Sequence, residues 1–390
     1  MEGKRFLRTV SCCLLCIGLV TSLVSCGSQE ATSVTVQGSI SEDTTWTADN
    51  IYVINQEIRV INGATLTIEP GTLIKAAPGE FPNASILLIT QGSKINAVGT
   101  PEKPIVFTSS DDNITRVEES NQSLLNENNK GLWGGIIILG TAPISTETGD
   151  VSTFYVGLDP SDKANYYGGT NVEDNSGIMK YVSIRYGGTY MGTGSESNGL
   201  TLCGVGNKTQ IDQIEVYANQ DDGIEFFGGT VNASNLLVYN SGDDGIDLDE
   251  GYSGEIKNIM VVLGEQSDSG IEISGGQGDF QGDFSLSNIQ LTVQTPSEDQ
   301  QIMRIDSASK GSISTLLASN FLDISKIQLQ SSEVTLQQLQ ISKNQTEVNS
   351  LSEINGGEKN SKNISFSSGL SLENDSKGYH WTLTKQMVSR

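Results

Sequence analysis

A short motif that begins with glycine recurs in the middle of the chain. Gly-Leu-Thr-Leu at 199–202 is followed by Gly-Ile-Glu-Phe at 223–226, Gly-Ile-Asp-Leu at 245–248 and Gly-Ile-Glu-Ile at 270–273, so the glycines lie 24, 22 and 25 residues apart. Apolar and polar residues alternate within each motif, which is typical of a half-buried β-strand. Short strands that return at a constant period of roughly 20–50 residues indicate a solenoid, and this period suits one turn of a parallel β-helix.

A second motif runs in step with the first and begins with an amide residue. An amide at the same position of successive turns predicts a ladder in which each side chain bonds to those above and below it, although such a row could also line a ligand track. Crossovers between parallel strands are overwhelmingly right-handed. We therefore predict an all-β fold, a right-handed single-stranded parallel β-helix with loop insertions. The copies of the amide motif start at Gln213, Asn235, Asn258, Asn288, Gln338 and Asn363.

The strand-like alternation predicts a β-helix over residues 46–375, interrupted by irregular stretches. We expect inserted loops at about residues 111–131, 146–176 and 189–198, and a C-terminal cap or tail over residues 376–390. Insertions that leave a solenoid at fixed turns gather on one side, where they can line a binding surface.

The start of the chain predicts export and lipid anchoring. Three basic residues precede an apolar stretch over residues 10–24, which is too short and too weakly flanked for a stable membrane span. It ends in Leu-Val-Ser-Cys-Gly at 23–27, which resembles a bacterial lipobox with Cys26 as the acylated residue. We therefore expect a lipoprotein signal peptide over residues 1–25 and a flexible tether over residues 26–45. The body would be anchored to the outer membrane through Cys26 and exposed at the cell surface.

Composition excludes several functional classes. The 390 residues carry 47 acidic and 23 basic side chains, a net charge of −24, and a binder of nucleic acid would need far more Lys and Arg. Cleavage after residue 25 would leave a net charge of −26 and Cys203 as the one thiol besides Cys26, so neither a disulfide nor a cysteine zinc site is expected. His380 is the only histidine, which excludes Ser-His-Asp catalysis. We expect Cys203 to fill the core.

Several longer motifs occur in a fixed order along residues 46–263. They are the alternating run at 58–110, Trp-Gly-Gly-Ile-Ile-Ile-Leu-Gly-Thr-Ala-Pro-Ile at 133–144, and the two Asp-Asp-Gly-Ile segments that start at Asp221 and Asp243. With these motifs the chain resembles a group of uncharacterised exported β-helix lipoproteins common in Bacteroidetes. The resemblance implies the fold and a cell-surface setting, and it implies no activity.

Acidic residues recur at matching positions of the glycine motif. If the isoleucines of the motif point inward, then Glu225, Asp247 and Glu272 point outward in one column, since successive side chains of a strand face opposite sides. Like charges about 5 Å apart repel by roughly 1 kcal/mol even in water, and hard carboxylate oxygens suit Ca²⁺. The candidate metal ligands are Asp221, Asp222, Glu225, Asp243, Asp244, Asp247, Asp268 and Glu272.

Three interpretations of these acids stay open. In the first, Asp-Gly forms the turn and the carboxylates are solvated; in the second, they bind Ca²⁺. In the third, Asp222, Asp243 and Asp244 act in catalysis, because paired carboxylates can cleave glycosides as acid and base. Asn-Gln-Asp at 219–221 and Asp-Asp at 243–244 look similar to motifs of β-helix polygalacturonases, but those enzymes also need Gly-His-Gly and Arg-Ile-Lys, and Ser-Gly at 269–270 stands one turn further on.

Aromatic residues supply a second set of candidate ligand-binding positions. Trp133 lies in a glycine-rich strand and could stack on a sugar, although a Trp among isoleucines is more typical of a core. Tyr166, Tyr167 and Tyr190 lie in the expected loops. The sequence thus predicts a surface protein that presents an acidic, Ca²⁺-assisted face to carbohydrate or another surface component. The alternative is a polysaccharide-degrading enzyme, either a glycoside hydrolase or a polysaccharide lyase.

Overall fold

The computed structural model describes residues 31–192, 194–322, 327–343, 346–348, 364–366 and 379–384, all within one compact unit. The expected signal peptide and Cys26 lie outside the described residues. The strands are β1 Thr32–Val36, β2 Ser39–Ile40, β3 Thr44–Trp46, β4 Asn50–Ile54, β5 Glu57–Val60, β6 Thr65–Ile68, β7 Leu73–Ala76, β8 Ile86–Ile89, β9 Lys94–Val98, β10 Ile105–Ser109, β11 Ile136–Leu139, β12 Thr153–Phe154, β13 Tyr166–Tyr167, β14 Gly177–Arg185, β15 Tyr190–Gly192, β16 Ser195–Glu196, β17 Leu200–Cys203, β18 Gln210–Tyr217, β19 Ile224–Phe227, β20 Asn232–Tyr239, β21 Ile246–Asp249, β22 Glu255–Leu263, β23 Ser269–Ile273, β24 Phe284–Val293, β25 Gln301–Ile305, β26 Lys310–Phe321, β27 Ile327–Leu329, β28 Glu333–Lys343, β29 Thr346–Val348 and β30 Ile364–Phe366.

These strands form the predicted parallel β-helix. One sheet has 16 strands with the main order β1-β4-β7-β10-β14-β18-β20-β22-β24-β26-β28-β29, and the other has ten in the order β2-β5-β8-β11-β17-β19-β21-β23-β25-β27. Each glycine motif supplies one strand of the ten-stranded sheet, and the five amide motifs that start at Gln213, Asn235, Asn258, Asn288 and Gln338 lie within strands of the larger sheet. The period of the sequence is therefore the period of the turns.

The amide column marks the bend in five long strands of the larger sheet, while Tyr181 of β14 and Thr315 of β26 take the same position. Asn258 has a φ of 58°, in the left-handed region that asparagine tolerates better than most residues. Its Nδ2 donates to Oδ1 of Asn235 at 2.9 Å, and Nδ2 of Asn288 donates to Oδ1 of Asn258 at 2.6 Å. The predicted ladder is confirmed over these three turns. Gln213 instead accepts a hydrogen bond from Nε1 of Trp381, and Asn363 lies outside the described residues.

The repeated glycine has a steric role. Gly223 does not adopt a left-handed backbone conformation, and a Cβ atom there would overlap Cγ1 of Val238 and lie 2.6 Å from the carbonyl oxygen of Gly245. Gly245 is confined in the same way by Val261. Asp-Gly lies at the corner between two strands, and glycine is required there because the close packing of successive turns excludes any side chain.

One expected boundary differs in the structure, and of the expected C-terminal cap or tail the described residues form a tail. Regular pairing begins at β1, within the expected tether, because the β-branched residues of Thr32–Val36 pair in parallel with Asn50–Ile54. Described residues 379–384 do not cap an end of the solenoid; they pack along its side, as the bond from Trp381 to Gln213 shows.

The expected insertions contain little regular structure. They hold two 3-10 helices, Val117–Gln122 and Lys163–Asn165, and two small hairpins, β12–β13 and β15–β16. No helix in the described segments combines the length and the hydropathy needed to span a membrane.

Candidate functional site

The acidic column lies on the outer face of the ten-stranded sheet. Parallel register places Thr201, Glu225, Asp247, Glu272 and Arg304 at equivalent positions of β17, β19, β21, β23 and β25. The expected alternation is present, because the neighbouring Ile224 and its counterparts are fully buried in the core.

The expected solvent exposure of this column is wrong. Glu225 and Asp247 are each 8% exposed, and Glu272 is 7% exposed. Inserted segments cover the face: Nδ2 of Asn198 donates to Oε2 of Glu225, and the ring of Tyr155 meets the ring of Phe227 edge-on at 5.8 Å. The carboxylates therefore point away from the solenoid core and into a second, covered interior.

Three carboxylates form a cluster at the centre of this face. Asp222, Glu225 and Asp247 each offer an oxygen, and these oxygens lie within 4.8 Å of one another. All three residues are buried, and Oδ1 of Asp247 has no hydrogen-bond partner among the described residues. We call these three residues the buried triad.

Two further groups of acids continue from the triad toward solvent. Asp221, Asp222 and Asp243 form one, and Asp243, Asp244 and Asp268 form the other, each with oxygens within 4.8 Å. The structure thus brings together seven of the eight candidate metal ligands.

Glu272 is the exception among the eight candidates. It forms an ion pair with Nη2 of Arg304, whose Nη1 also lies 3.9 Å from Oδ2 of Asp268. The positive charge of Arg304 therefore acts at the far end of the column, away from the buried triad.

The aspartate before each glycine also connects successive turns. Asn198, Asp222, Asp244 and Ser269 occupy the same position on four turns, each directly before a motif glycine. The backbone N–H of Asp244 donates to Oδ1 of Asp222 at 2.9 Å, and that of Ser269 donates to Oδ1 of Asp244 at 2.6 Å. One oxygen of each aspartate is thereby committed to the fold, and the other remains for the cluster.

Burial shifts the protonation of the cluster. Burial, reinforced by the negative charge of Asp243, raises the pKa of Asp221 and that of Asp244 to about 7. The pKa values of all three triad members are also raised well above the ordinary range, first by burial and then by neighbouring carboxylates. At neutral pH the cluster must therefore hold protons or a cation.

Trp133 is part of the core. It is fully buried, its Nε1 donates to the carbonyl oxygen of Arg185 at 2.8 Å, and its ring stacks on Phe107. The prediction that Trp133 contacts a ligand is wrong, because the apolar strands of the N-terminal turns enclose it. Cys203 is also buried, as expected, although it packs under the inserted loops on the outer face.

The three candidate tyrosines have different surroundings. Tyr167 is buried, and its hydroxyl donates to Oε1 of Glu250 at 3.0 Å, at the margin of the acidic face. Tyr166 is half-buried, with Nζ of Lys163 3.7 Å from its ring centre. Tyr190 is 40% exposed and is the one whose ring remains most open to solvent.

Sequence reasoning missed an aromatic neighbour of Tyr190. Phe81 is 54% exposed, and its backbone N–H donates to the carbonyl oxygen of Tyr190 at 2.9 Å. Tyr190 pairs with Glu196 across the β15–β16 hairpin, and burial, Asp243 and Glu80 raise the pKa of Glu196. Two exposed rings therefore border the acidic turns. Nothing in the sequence pattern around Phe81 pointed to this place.

The fold and the site define a class of protein: a parallel β-helix with a covered acidic cluster on one lateral sheet. The chain belongs to the family of pectate-lyase-like β-helix domains, whose model matches residues 38–383.

Solved structures of the pectin methylesterase from Aspergillus niger are similar in fold. The deglycosylated form shares 12% identity at a TM-score of 0.34, over 82% of this chain and 86% of that one. A penultimately deglycosylated form shares 13% identity at a TM-score of 0.33, over 84% and 87% of the two chains. Such distant similarity says nothing about activity. No curated protein matches the sequence.

Proposed function

We propose that the protein is a lipid-anchored surface protein whose acidic cluster binds Ca²⁺ and, with it, a carbohydrate or another surface component. The buried triad carries this proposal. Oxygens that share one Ca²⁺ at 2.3–2.6 Å lie at most about 5 Å apart, and the oxygens of Asp222, Glu225 and Asp247 meet that limit.

A cation also removes an energetic conflict within the triad. Three buried carboxylates without a base among them cannot all be ionised at low cost. The nearest ion-paired base, Arg304, is bound to Glu272. Ca²⁺ would offset two of the three negative charges of the triad. Oδ1 of Asn198, which is buried and has no partner among the described residues, lies on the side chain that bonds to Glu225.

The ligand class follows from the surroundings of the cluster. Tyr190 and Phe81 are partly exposed beside the acidic turns, and exposed aromatic rings suit the apolar face of a sugar ring. The family description refers to a pectate lyase, which also favours a polysaccharide. Anchoring through Cys26 would hold this face at the outer surface of the membrane.

A polysaccharide-degrading enzyme is the second candidate, and one observation favours it. The pKa of Asp244, raised to about 7, suits an acid or base that works near neutral pH. Asp243 belongs to the same group of carboxylates as Asp244, and Asp222 belongs to a second group that also contains Asp243. As glycoside hydrolase or polysaccharide lyase, the protein would then use these three carboxylates on a bound polysaccharide.

A glycan array probed with residues 27–390, in Ca²⁺ and in EDTA, tests the proposal. We expect retention of at least one glycan in Ca²⁺, loss in EDTA and in Asp247→Asn, and no change in Asp49→Asn, an exposed acid between β3 and β4 on the N-terminal turns. Binding unaffected by EDTA would contradict the role of Ca²⁺. New reducing ends or unsaturated uronides, lost in Asp244→Asn, would establish the enzyme instead. Mass spectrometry of the N-terminal peptide tests acylation of Cys26.

A further inference from the structure

A groove on the outer face of the 16-stranded sheet holds the end of the described chain. Tyr379, Trp381 and Leu383 point into it and are almost completely buried. The groove lies on strands β14, β18, β20 and β22, so it is separate from the acidic cluster on the other sheet. We call residues 379–384, Tyr-His-Trp-Thr-Leu-Thr, the terminal segment.

A buried carboxylate receives the backbone of the terminal segment. Glu215 of β18 is fully buried. Its Oε1 accepts from the backbone N–H of Thr384 at 2.8 Å and from the Thr384 hydroxyl at 2.8 Å, and its Oε2 accepts from the N–H of Leu383 at 3.1 Å. Ser183 donates to Oε2 at 2.6 Å. Three of these four donors come from the segment, and a buried carboxylate without them would be costly.

The buried side chains of the terminal segment each contact a different part of the groove. The Tyr379 hydroxyl lies 2.9 Å from the carbonyl oxygen of Asn258. Nε1 of Trp381 donates to Oε1 of Gln213 at 3.0 Å, and its ring meets the ring of Tyr181 edge-on at 5.6 Å.

The third apolar side chain of the segment completes this pattern. Leu383 joins an aromatic cluster whose other fully buried members include Tyr186 and Tyr217. Tyr379, Trp381 and Leu383 thus meet a backbone carbonyl, an amide with an aromatic ring, and an apolar cluster. Thr382 is also buried, and its N–H donates to the carbonyl oxygen of Tyr379 at 3.0 Å, which closes a turn within the segment. Directional contacts of this kind distinguish recognition of a particular sequence from general hydrophobic packing.

We propose that this groove is a peptide-recognition site for the sequence Tyr-His-Trp-Thr-Leu-Thr, and that the chain's own terminal segment occupies it. Glu215 provides the charge that fixes the peptide backbone, and the three pockets select aromatic, aromatic and aliphatic side chains at alternate positions. This site is independent of Ca²⁺ and of carbohydrate.

The connecting chain is long enough for the segment to reach its own groove. Twelve residues, 367–378, separate β30 from the segment, and they span up to about 40 Å when extended. β28, the partner of β30, lies three to five strands from β22 and β18, or roughly 15–25 Å at about 4.8 Å per strand. Occupation of the groove by the same molecule therefore requires no strain.

Hydrogen exchange in the intact full chain is the first test. The N–H groups of Leu383 and Thr384 should exchange at least about tenfold more slowly than in the free peptide, and Glu215→Gln should remove most of that protection. Glu333→Gln, an exposed glutamate of β28, is the matched control and should leave it intact. Exchange at the rate of the free peptide in the wild-type chain would overturn the proposal.

A cleaved chain tests recognition without the covalent link. A protease sequence placed within residues 367–378 of the full chain allows the segment to be cut after folding, and a labelled Tyr-His-Trp-Thr-Leu-Thr peptide is then added. We expect anisotropy to show saturable exchange into the cleaved protein and roughly 10- to 100-fold weaker binding of the peptide with Ala in place of Trp. If the cleaved body keeps its circular dichroism spectrum but neither retains the segment nor binds the peptide, the groove is not a recognition site.

Discussion

The backbone N–H of Asp244 donates a 2.9 Å hydrogen bond to Oδ1 of Asp222, one turn earlier in the solenoid. The same Asp222 side chain belongs to the buried triad with Glu225 and Asp247. One residue therefore supports the fold through a hydrogen bond and strains it through its charge. Substitutions that remove the charge with or without the hydrogen bond separate the two effects.

Asp222→Asn keeps an oxygen that can accept from Asp244 but removes one negative charge from the buried triad. We expect the melting temperature in EDTA to stay the same or rise, and the increase on adding Ca²⁺ to be lost. Asp222→Ala also removes the acceptor, so it should lower the free energy of unfolding by about 1–3 kcal/mol. If Asp222→Asn keeps the full Ca²⁺-induced increase, the triad is not the cation site.

Stability without Ca²⁺ should fall as the pH rises. The pKa of Asp244 is about 7 in the folded protein against an ordinary value of 3.8, so the folded state binds its proton more tightly than the unfolded state does. Raising the pH through this window favours unfolding, and the contribution of Asp244 is completely lost above about pH 7. Melting curves recorded in EDTA at pH steps of about half a unit, between about pH 4.5 and 8, measure this loss of stability. Asp244→Asn should flatten the curve; an equally steep curve would assign the effect to other groups.

The amide ladder gives a test of the fold that is independent of the site. Asn258→Ala removes the bonds to Asn235 and Asn288 and places alanine at a φ of 58°, so it should lower the free energy of unfolding by about 1–3 kcal/mol. Asn258→Gly loses the same bonds but accepts the backbone conformation more easily. Urea denaturation should therefore rank wild type, Gly and Ala in descending stability, and equal values for the two variants would show that the backbone conformation contributes nothing.

Substitutions of two aromatic residues should affect glycan binding and protein stability independently. Tyr190→Ala removes an exposed ring, so it should weaken glycan retention while leaving the melting temperature within about one degree. Trp133→Ala empties a fully buried site and should cost about 3–5 kcal/mol. Thermal melts and array binding measure both. Unchanged glycan binding in Tyr190→Ala would remove that ring from the proposed ligand surface.

The fold could be predicted because its period is visible in the sequence. The inward isoleucines and the amides repeat once a turn, and each repeat obeys a local rule of strand alternation. The position of Asn198 could also have been found, because it precedes Gly199 as Asp222 precedes Gly223.

The burial of the site could not be predicted in the same way. It depends on which turns the inserted loops cover, and no periodic signal encodes that contact. The residues that bury Glu225 illustrate this: Asn198 and Tyr155 come from two separate insertions. Glu215 gave no signal either, because the segment that covers it lies 168 residues further along the chain. Because inserted loops from distant parts of the chain cover the acidic column, carboxylates that were expected to be solvated are buried.

Calorimetric titration of Ca²⁺ into EDTA-stripped, desalted protein at neutral pH tests the central proposal most directly. The wild type and Asp49→Asn should show the same saturable binding, and Asp247→Asn should bind at least about tenfold more weakly, since it replaces one carboxylate oxygen of the triad with an amide nitrogen and removes its negative charge. Absence of binding in the wild type, or equal affinity in Asp247→Asn, would contradict the assignment of the buried triad as a Ca²⁺ site.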